Sequence, residues 1–132
     1  MHKTIFAIVA VSLSSAALAD WVKIAVTEKS TVYADPSTIR KIGTTAKMWY
    51  TYDYKAPQQL TMDGRDIHYL SARGEDEFDC KGLRKRRLIL TGHSKNMGGG
   101  DIVATDSTKT QWIPVAPGTV AENMWKLACG KR

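Results

Sequence analysis

Hydrophobic and polar positions alternate with a period of two along most of the chain and change to a helical period only near its end. Residues 20–27 set Trp21, Lys23 and Ala25 against Val22, Ile24 and Val26, the alternation of a strand. Residues 31–34 predict a short second strand. A turn at Asp35-Pro36-Ser37 follows, because proline fixes φ and aspartate can bond its own backbone. Residues 39–42 are a brief extended piece ended by Gly43. The strongest strand is 45–54, rich in aromatic and β-branched residues. Ala46, Met48, Tyr50, Tyr52 and Tyr54 share one of its faces, with Trp49 and Thr51 on the other, as in a central strand. Residues 55–66 hold Pro57 and Gly64 and read as a loop. Residues 67–80 and 83–94 predict the two arms of a hairpin turning at Lys81-Gly82, with Leu70, Ala72, Phe78 and Cys80 on one face. Residues 96–100 read as a flexible loop, and 102–105 and 111–115 as two last short strands.

The period then changes. Pro117-Gly118 breaks the last strand, and Thr119 with Glu122 three residues on supplies both sides of a capping box. Ala121, Met124, Trp125 and Ala128 recur at i, i+3, i+4, i+7 on one helical face, with Glu122 and Lys126 paired at i,i+4 on the other side. A helix of barely three turns is marginal alone in water and must bury its apolar face. The surface available is a sheet made by everything before it, with Cys129 locked to Cys80. The pattern therefore predicts an α+β domain.

The first residues add a compartment. His2 and Lys3 precede an apolar run over 5–11, then small residues and Ala17-Leu18-Ala19. These are the three parts of a secretory signal peptide, and the run is far short of the roughly 20 residues of a membrane span. We expect residues 1–19 to be removed by cleavage between Ala19 and Asp20, leaving a single domain over 20–132. Export favours disulfides. The two cysteines lie too far apart for a C-x-x-C redox or zinc motif, and a Cys80–Cys129 bridge would contribute about 4 kcal/mol through loop closure. Free thiols or an intermolecular pair are the alternative. Of the 19 lysines and arginines, 18 follow Lys3, against 13 acidic residues. That basic balance favours acidic partners such as anionic glycans, lipid headgroups or acidic protein surfaces, while export argues against nucleic acid.

Candidate chemistry is sparse. Glu75, Asp76, Glu77 and Asp79 precede the basic run Lys81, Arg84, Lys85, Arg86 and Arg87. The run could bind an anionic partner. In the expected hairpin, however, Asp79 faces Arg84, Glu77 faces Arg86 and Asp76 faces Arg87, and such cross-strand pairs are worth about 0.2–1 kcal/mol each. Successive basic residues also alternate faces, which leaves Lys81 and an unpaired Lys85 as the excess. His68 and His93 have no metal-ligand spacing, so no metal is expected. His93 and Ser94, as strand neighbours, point apart and cannot serve as base and nucleophile. Glycines 98–100 precede neither a Lys-Ser/Thr nor a helix, which argues against a phosphate cradle. The Tyr50, Tyr52, Tyr54 stripe could stack sugar rings, but packing under the helix is the commoner fate of such a stripe. No catalytic constellation and no cofactor motif emerges.

Trp21, Val32-Tyr33 followed by Asp35-Pro36, Ile39-Arg40, Met48-Trp49, Asp79-Cys80, and Trp112, Pro114, Pro117-Gly118-Thr119 leading to Cys129 occur in an order that resembles the surface-adhesin protein E family, small exported domains of Gram-negative bacteria. The resemblance covers essentially all of 20–132. It implies a curved antiparallel sheet of about six strands, with one C-terminal helix on its concave face tied by the cysteine pair. It also implies a non-enzymatic binding role toward host matrix and serum proteins such as vitronectin and laminin, and a homodimer. The family's surface lipoprotein pattern is absent at Ala19-Asp20, where no lipobox cysteine stands. We therefore expect a soluble periplasmic or secreted protein without a lipid anchor. It would engage a protein or anionic glycan of the host matrix or, alternatively, act as an envelope accessory protein with a bacterial partner.

Overall fold

In the computed structural model, which describes residues 20–131, each of the first five strands pairs antiparallel with its successor, giving a six-strand run. The six are β1 (Val22–Val26), β2 (Ser30–Ile42), β3 (Thr45–Met62), β4 (Arg65–Asp79), β5 (Arg84–His93) and β6 (Ile102–Asp106). A two-residue strand, β7 (Ile113–Pro114), pairs with β5 on the far side of the Lys81-Gly82 turn. The helix α1 (Val120–Cys129) follows. The expected α+β sheet-and-helix architecture is present. The expected leader over 1–19, including Ala19 of the cleavage junction, lies outside the described residues.

Two predicted interruptions are absorbed into strands. Asp35-Pro36-Ser37 does turn locally, and Asp35 Oδ1 accepts from the Ser37 amide at 3.0 Å. That turn is a bulge between Asp35 and Arg40 inside one long β2 rather than a break between two strands. The expected loop over 55–66 is likewise corrected: β3 and β4 run on to a tight hairpin at Asp63-Gly64, both with positive φ. Asp-Gly is a favoured sequence for such a turn. Pro57 is accommodated because the register shifts between Asp53 and Gln58 and the residue is exposed, so its missing N–H leaves no ladder bond unmade. Beyond Tyr54 neither β2 nor β5 flanks this hairpin. Its outer part is a two-stranded arm.

The helix forms as its sequence predicts. Thr119 Oγ1 accepts from the Glu122 amide at 3.3 Å, and Gly130 closes the C-terminus in a left-handed conformation. The Glu122 carboxylate reaches the Gly118 amide rather than that of the cap residue itself. Met124, Ala128 and Cys129 are buried with Val32, Ala34, Ala46, Met48, Tyr50 and Phe78 in one core. Full burial of a side chain such as Phe78, Met48 or Met124 is worth about 1.5–3 kcal/mol. Trp125 Nε1 donates to the Asp79 carbonyl at 2.7 Å. Cys80 and Cys129 form a disulfide with Cα atoms 5.5 Å apart. The helix thus packs across β1 to β4 and leaves the same face of β5 and β6 uncovered.

The opposite face is closed differently. The segment 95–98, which overlaps the expected flexible loop 96–100, is tied across it by three side chains. Ser71 Oγ donates to the Lys95 carbonyl at 2.6 Å, Arg73 donates to the Met97 carbonyl at 2.7 Å, and Asp53 Oδ1 accepts from Asn96 Nδ2 and the Met97 amide. The Arg73 guanidinium lies 5.0 Å from the centre of the Trp21 ring, within cation–π range.

Candidate functional site

Cross-strand rows on the helix-bearing face show how an open groove arises beside α1. One row runs Tyr52, Ala72, Gly92, Ala104 across β3 to β6. Three small residues in succession leave a depression, bordered at Gly92 by the Tyr69 side chain. The next row runs Tyr50, Gly74, Leu90, Asp106. Here the Tyr50 ring lies over Gly74, where an added Cβ would stand 2.6 Å from Tyr50 Cζ. Tyr54 and Tyr69 continue the aromatic wall, Arg87 and Asp106 form a polar end, and Leu60 and Met62 of the arm form a lip. The space so enclosed is about 370 Å³, within the range of small-ligand sites.

The tyrosine stripe divides its labour. Tyr50 is buried in the core, Tyr52 packs against that core, and Tyr54 stands in the groove. Their rings interlock: Tyr50 meets Tyr52 edge-on at 5.7 Å, Tyr52 and Tyr54 stack at 6.4 Å, and Tyr54 meets Tyr69 edge-on at 5.6 Å. Only the inner part of the stripe packs as expected under the helix. Burial pushes the hydroxyl pKa values of Tyr50, Tyr52 and Tyr54 up, with the Asp76 carboxylate adding to the first two and Tyr69 to the third. All three remain neutral hydroxyls at physiological pH.

Next to the groove lies a buried charge cluster. The Asp76 side chain is 2% exposed and accepts from Lys85 Nζ at 3.0 Å, which corrects the expectation that Lys85 is unpaired. Burial nevertheless raises the Asp76 pKa, the Lys85 ammonium offsetting only part of the shift. Arg87 stands opposite Asp76 in register, as expected, but its ion pair is with Asp106 at 3.1 Å. Asp76 Oδ1 and Arg87 Nε are buried without a hydrogen-bond partner.

The five basic residues do not converge. Lys85 and Arg87 belong to the helix-bearing face. Arg84 and Arg86 lie on the other, paired with Asp79 and Glu77 in the expected register. Both guanidiniums also lie over Trp112, at 4.9 and 4.4 Å from the ring centre. Lys81 is exposed at the turn. His68 is exposed. His93 is buried with Nε2 2.7 Å from Thr91 Oγ1, and burial together with Arg73 lowers its pKa. Among the described residues no cluster of three or more His, Cys, Asp or Glu could hold a metal ion, and no helix is long and apolar enough to cross a membrane. The groove itself escaped sequence reasoning, since Leu60 and Met62 fell in the supposed loop. The available signals were Asp63-Gly64 and the recurrence of small residues at Ala72, Gly92 and Ala104.

A family model described as surface-adhesin protein E matches residues 21–130. Among solved structures, crystal form II of Haemophilus influenzae protein E superposes with a TM-score of 0.61 at 13% identity, covering 83% of this chain and 96% of that one. Protein E from non-typeable Haemophilus influenzae superposes with a TM-score of 0.54 at 14% identity, covering 84% of each chain. At such identities these likenesses concern the fold. No curated protein matches the chain.

Proposed function

The chain belongs to the surface-adhesin protein E family, and on that premise we propose that it is an exported, non-enzymatic binding domain whose ligand-facing surface is the groove beside α1. Residues 1–19 act as its signal peptide, cleaved between Ala19 and Asp20, and 20–132 form the functional domain. The observation that carries the reading is a preformed groove with an aromatic wall, whose lining residues include no Ser, Thr, Cys, His or Lys. A domain of this kind binds rather than turns over its ligand. The partner is a host matrix or serum protein such as vitronectin or laminin. Two copies pair through the free edge of β1, where Val22 and Val26 are exposed, since an unpaired strand edge is a template for a second chain.

A second reading has its own support: Lys81 and Arg84 are exposed at the turn, beside the arginine-flanked Trp112, and this end of the molecule engages an anionic glycan. Binding to heparin that weakens with salt and with Lys81→Glu is its expected signature. Salt-insensitive binding would remove it. For the main reading, osmotic-shock fractionation and protease shaving of intact cells come first, then matrix-protein binding by wild type and Tyr54→Ala. We expect exposure on the cell or release from it, with binding weakened by the substitution. Confinement to the periplasm would redirect the search to an envelope partner, and binding indifferent to Tyr54 would exclude the groove.

A further inference from the structure

We propose that the groove beside α1 takes a neutral saccharide of about two rings, an inference that rests on the groove being the binding surface. Four observations lead there. First, the wall presents Tyr54 and Tyr69 toward open space, and aromatic faces of this kind are platforms for the C–H faces of sugar rings. Second, the floor is made of the small residues Ala72, Gly92 and Ala104, with Tyr69 flanking it: an added Cβ at Gly92 would meet both Ala104 and Tyr69 at an ordinary 3.7 Å. Flat rings fit such a floor better than a branched side chain does. Third, the polar end mixes donors with acceptors. Arg87 and Asp106 line it as an ion pair, their side chains 33% and 40% exposed. Adjacent hydroxyls of a sugar, each both donor and acceptor, can use a guanidinium and a carboxylate together.

Fourth, the local charge cancels: Asp76 is matched by Lys85 and Asp106 by Arg87. An anionic ligand gains no net attraction here, and a cationic one gains none either. Leu60 and Met62, carried on the two-stranded arm, also line the groove, so a bound ring would touch both arm and sheet.

The experiment is an amide NMR titration of the mature protein with three disaccharides at millimolar concentrations: chitobiose, lactose and a sulfated heparin disaccharide. Shifts are expected at Tyr54, Tyr69, Gly92 and Ala104 with at least one neutral disaccharide, unchanged when sodium chloride is raised. A response to chitobiose points to N-acetylglucosamine polymers of cell walls as the source, and one to lactose points to the galactose ends of glycoproteins. Tyr54→Ala should weaken binding by about tenfold, the scale of one aromatic contact. Ala104→Leu, which fills the floor from an edge strand, should weaken it at least as much while leaving the fold intact. The proposal is overturned if neither neutral disaccharide shifts these amides, or if only the sulfated one does so in a salt-sensitive way. Because the titration needs no protein partner, its failure is distinct from a failure to bind matrix proteins.

Discussion

Asp76 is the residue whose environment most exceeds what its sequence neighbours announce. Its folded pKa is raised from 3.8, chiefly by burial, so its contribution to stability is fully present below 3.8 and is lost as pH rises through the folded value. Asp79 has the opposite sign: hydrogen bonds from Arg84 and the Gly82 amide lower its pKa, and its contribution fades as pH falls. In Asp76→Asn the contribution of Asp76 disappears. Urea melts of that variant should therefore gain stability more steeply than wild type as pH rises above 3.8; parallel profiles would contradict the buried-carboxylate assignment. Gly74 is a second such position. In Gly74→Ala the new methyl collides with the Tyr50 ring, and a loss of about 1–3 kcal/mol is expected from the displacement, read from the same melts. The facing of Asp79 with Arg84 and of Glu77 with Arg86 was legible because opposite charges mirror each other about Lys81-Gly82. The Lys85–Asp76 contact was not. It runs diagonally, since Lys85 stands directly opposite Phe78, and a count along the hairpin reveals only direct neighbours.

Among the elements, the helix was legible almost completely and the arm hardly at all. Caps, apolar stripe and cysteine all lie within 119–130, so local rules suffice for α1. Its attachment gives a prediction: Cys129→Ser should cost about 2–5 kcal/mol, measured by thermal or chemical melting, and a variant that melts with wild type would show the packed stripe alone to be enough. The arm defeats local rules because Pro57 and Gly64 look like loop residues in isolation. Context fits them into the hairpin: a register shift places the proline where no partner needs its N–H, and Asp63-Gly64 supplies the turn between the strands. With no third strand paired to it among the described residues, the arm should also be the least protected part of the sheet. Amides of 58–62 should exchange faster than those of 47–52, and equal protection would mean that something else covers the arm.

For the whole molecule, the sheet is open at β1 and at β6, with exposed Val26 and Ile102 on those outer strands. The helix occupies one face over β1 to β4. The general plan was legible, since period-two strands followed by one amphipathic helix leave few other arrangements. The groove was not, because it depends on which residues stand side by side across four strands. Tyr52, Ala72, Gly92 and Ala104 are scattered through the sequence, and only the register aligns them. Function at this scale follows from asymmetry: one part of the face is closed by α1 and the bridge, and another part is free to receive a ligand.

The strand order also bears on how fast the chain can fold. β1 to β6 follow one another in space as they do in sequence, and two of the chain reversals, at 43–44 and 63–64, are only two residues long. Short loops close at little entropic cost and favour rapid folding. The helix is the exception: it must return to β1–β4 from the end of the chain, and the bridge spans a separation of 49 residues. An intact disulfide removes that search before folding begins. The oxidised protein should therefore refold faster than the reduced one in stopped-flow mixing, and equal rates would place helix docking after the rate-limiting step.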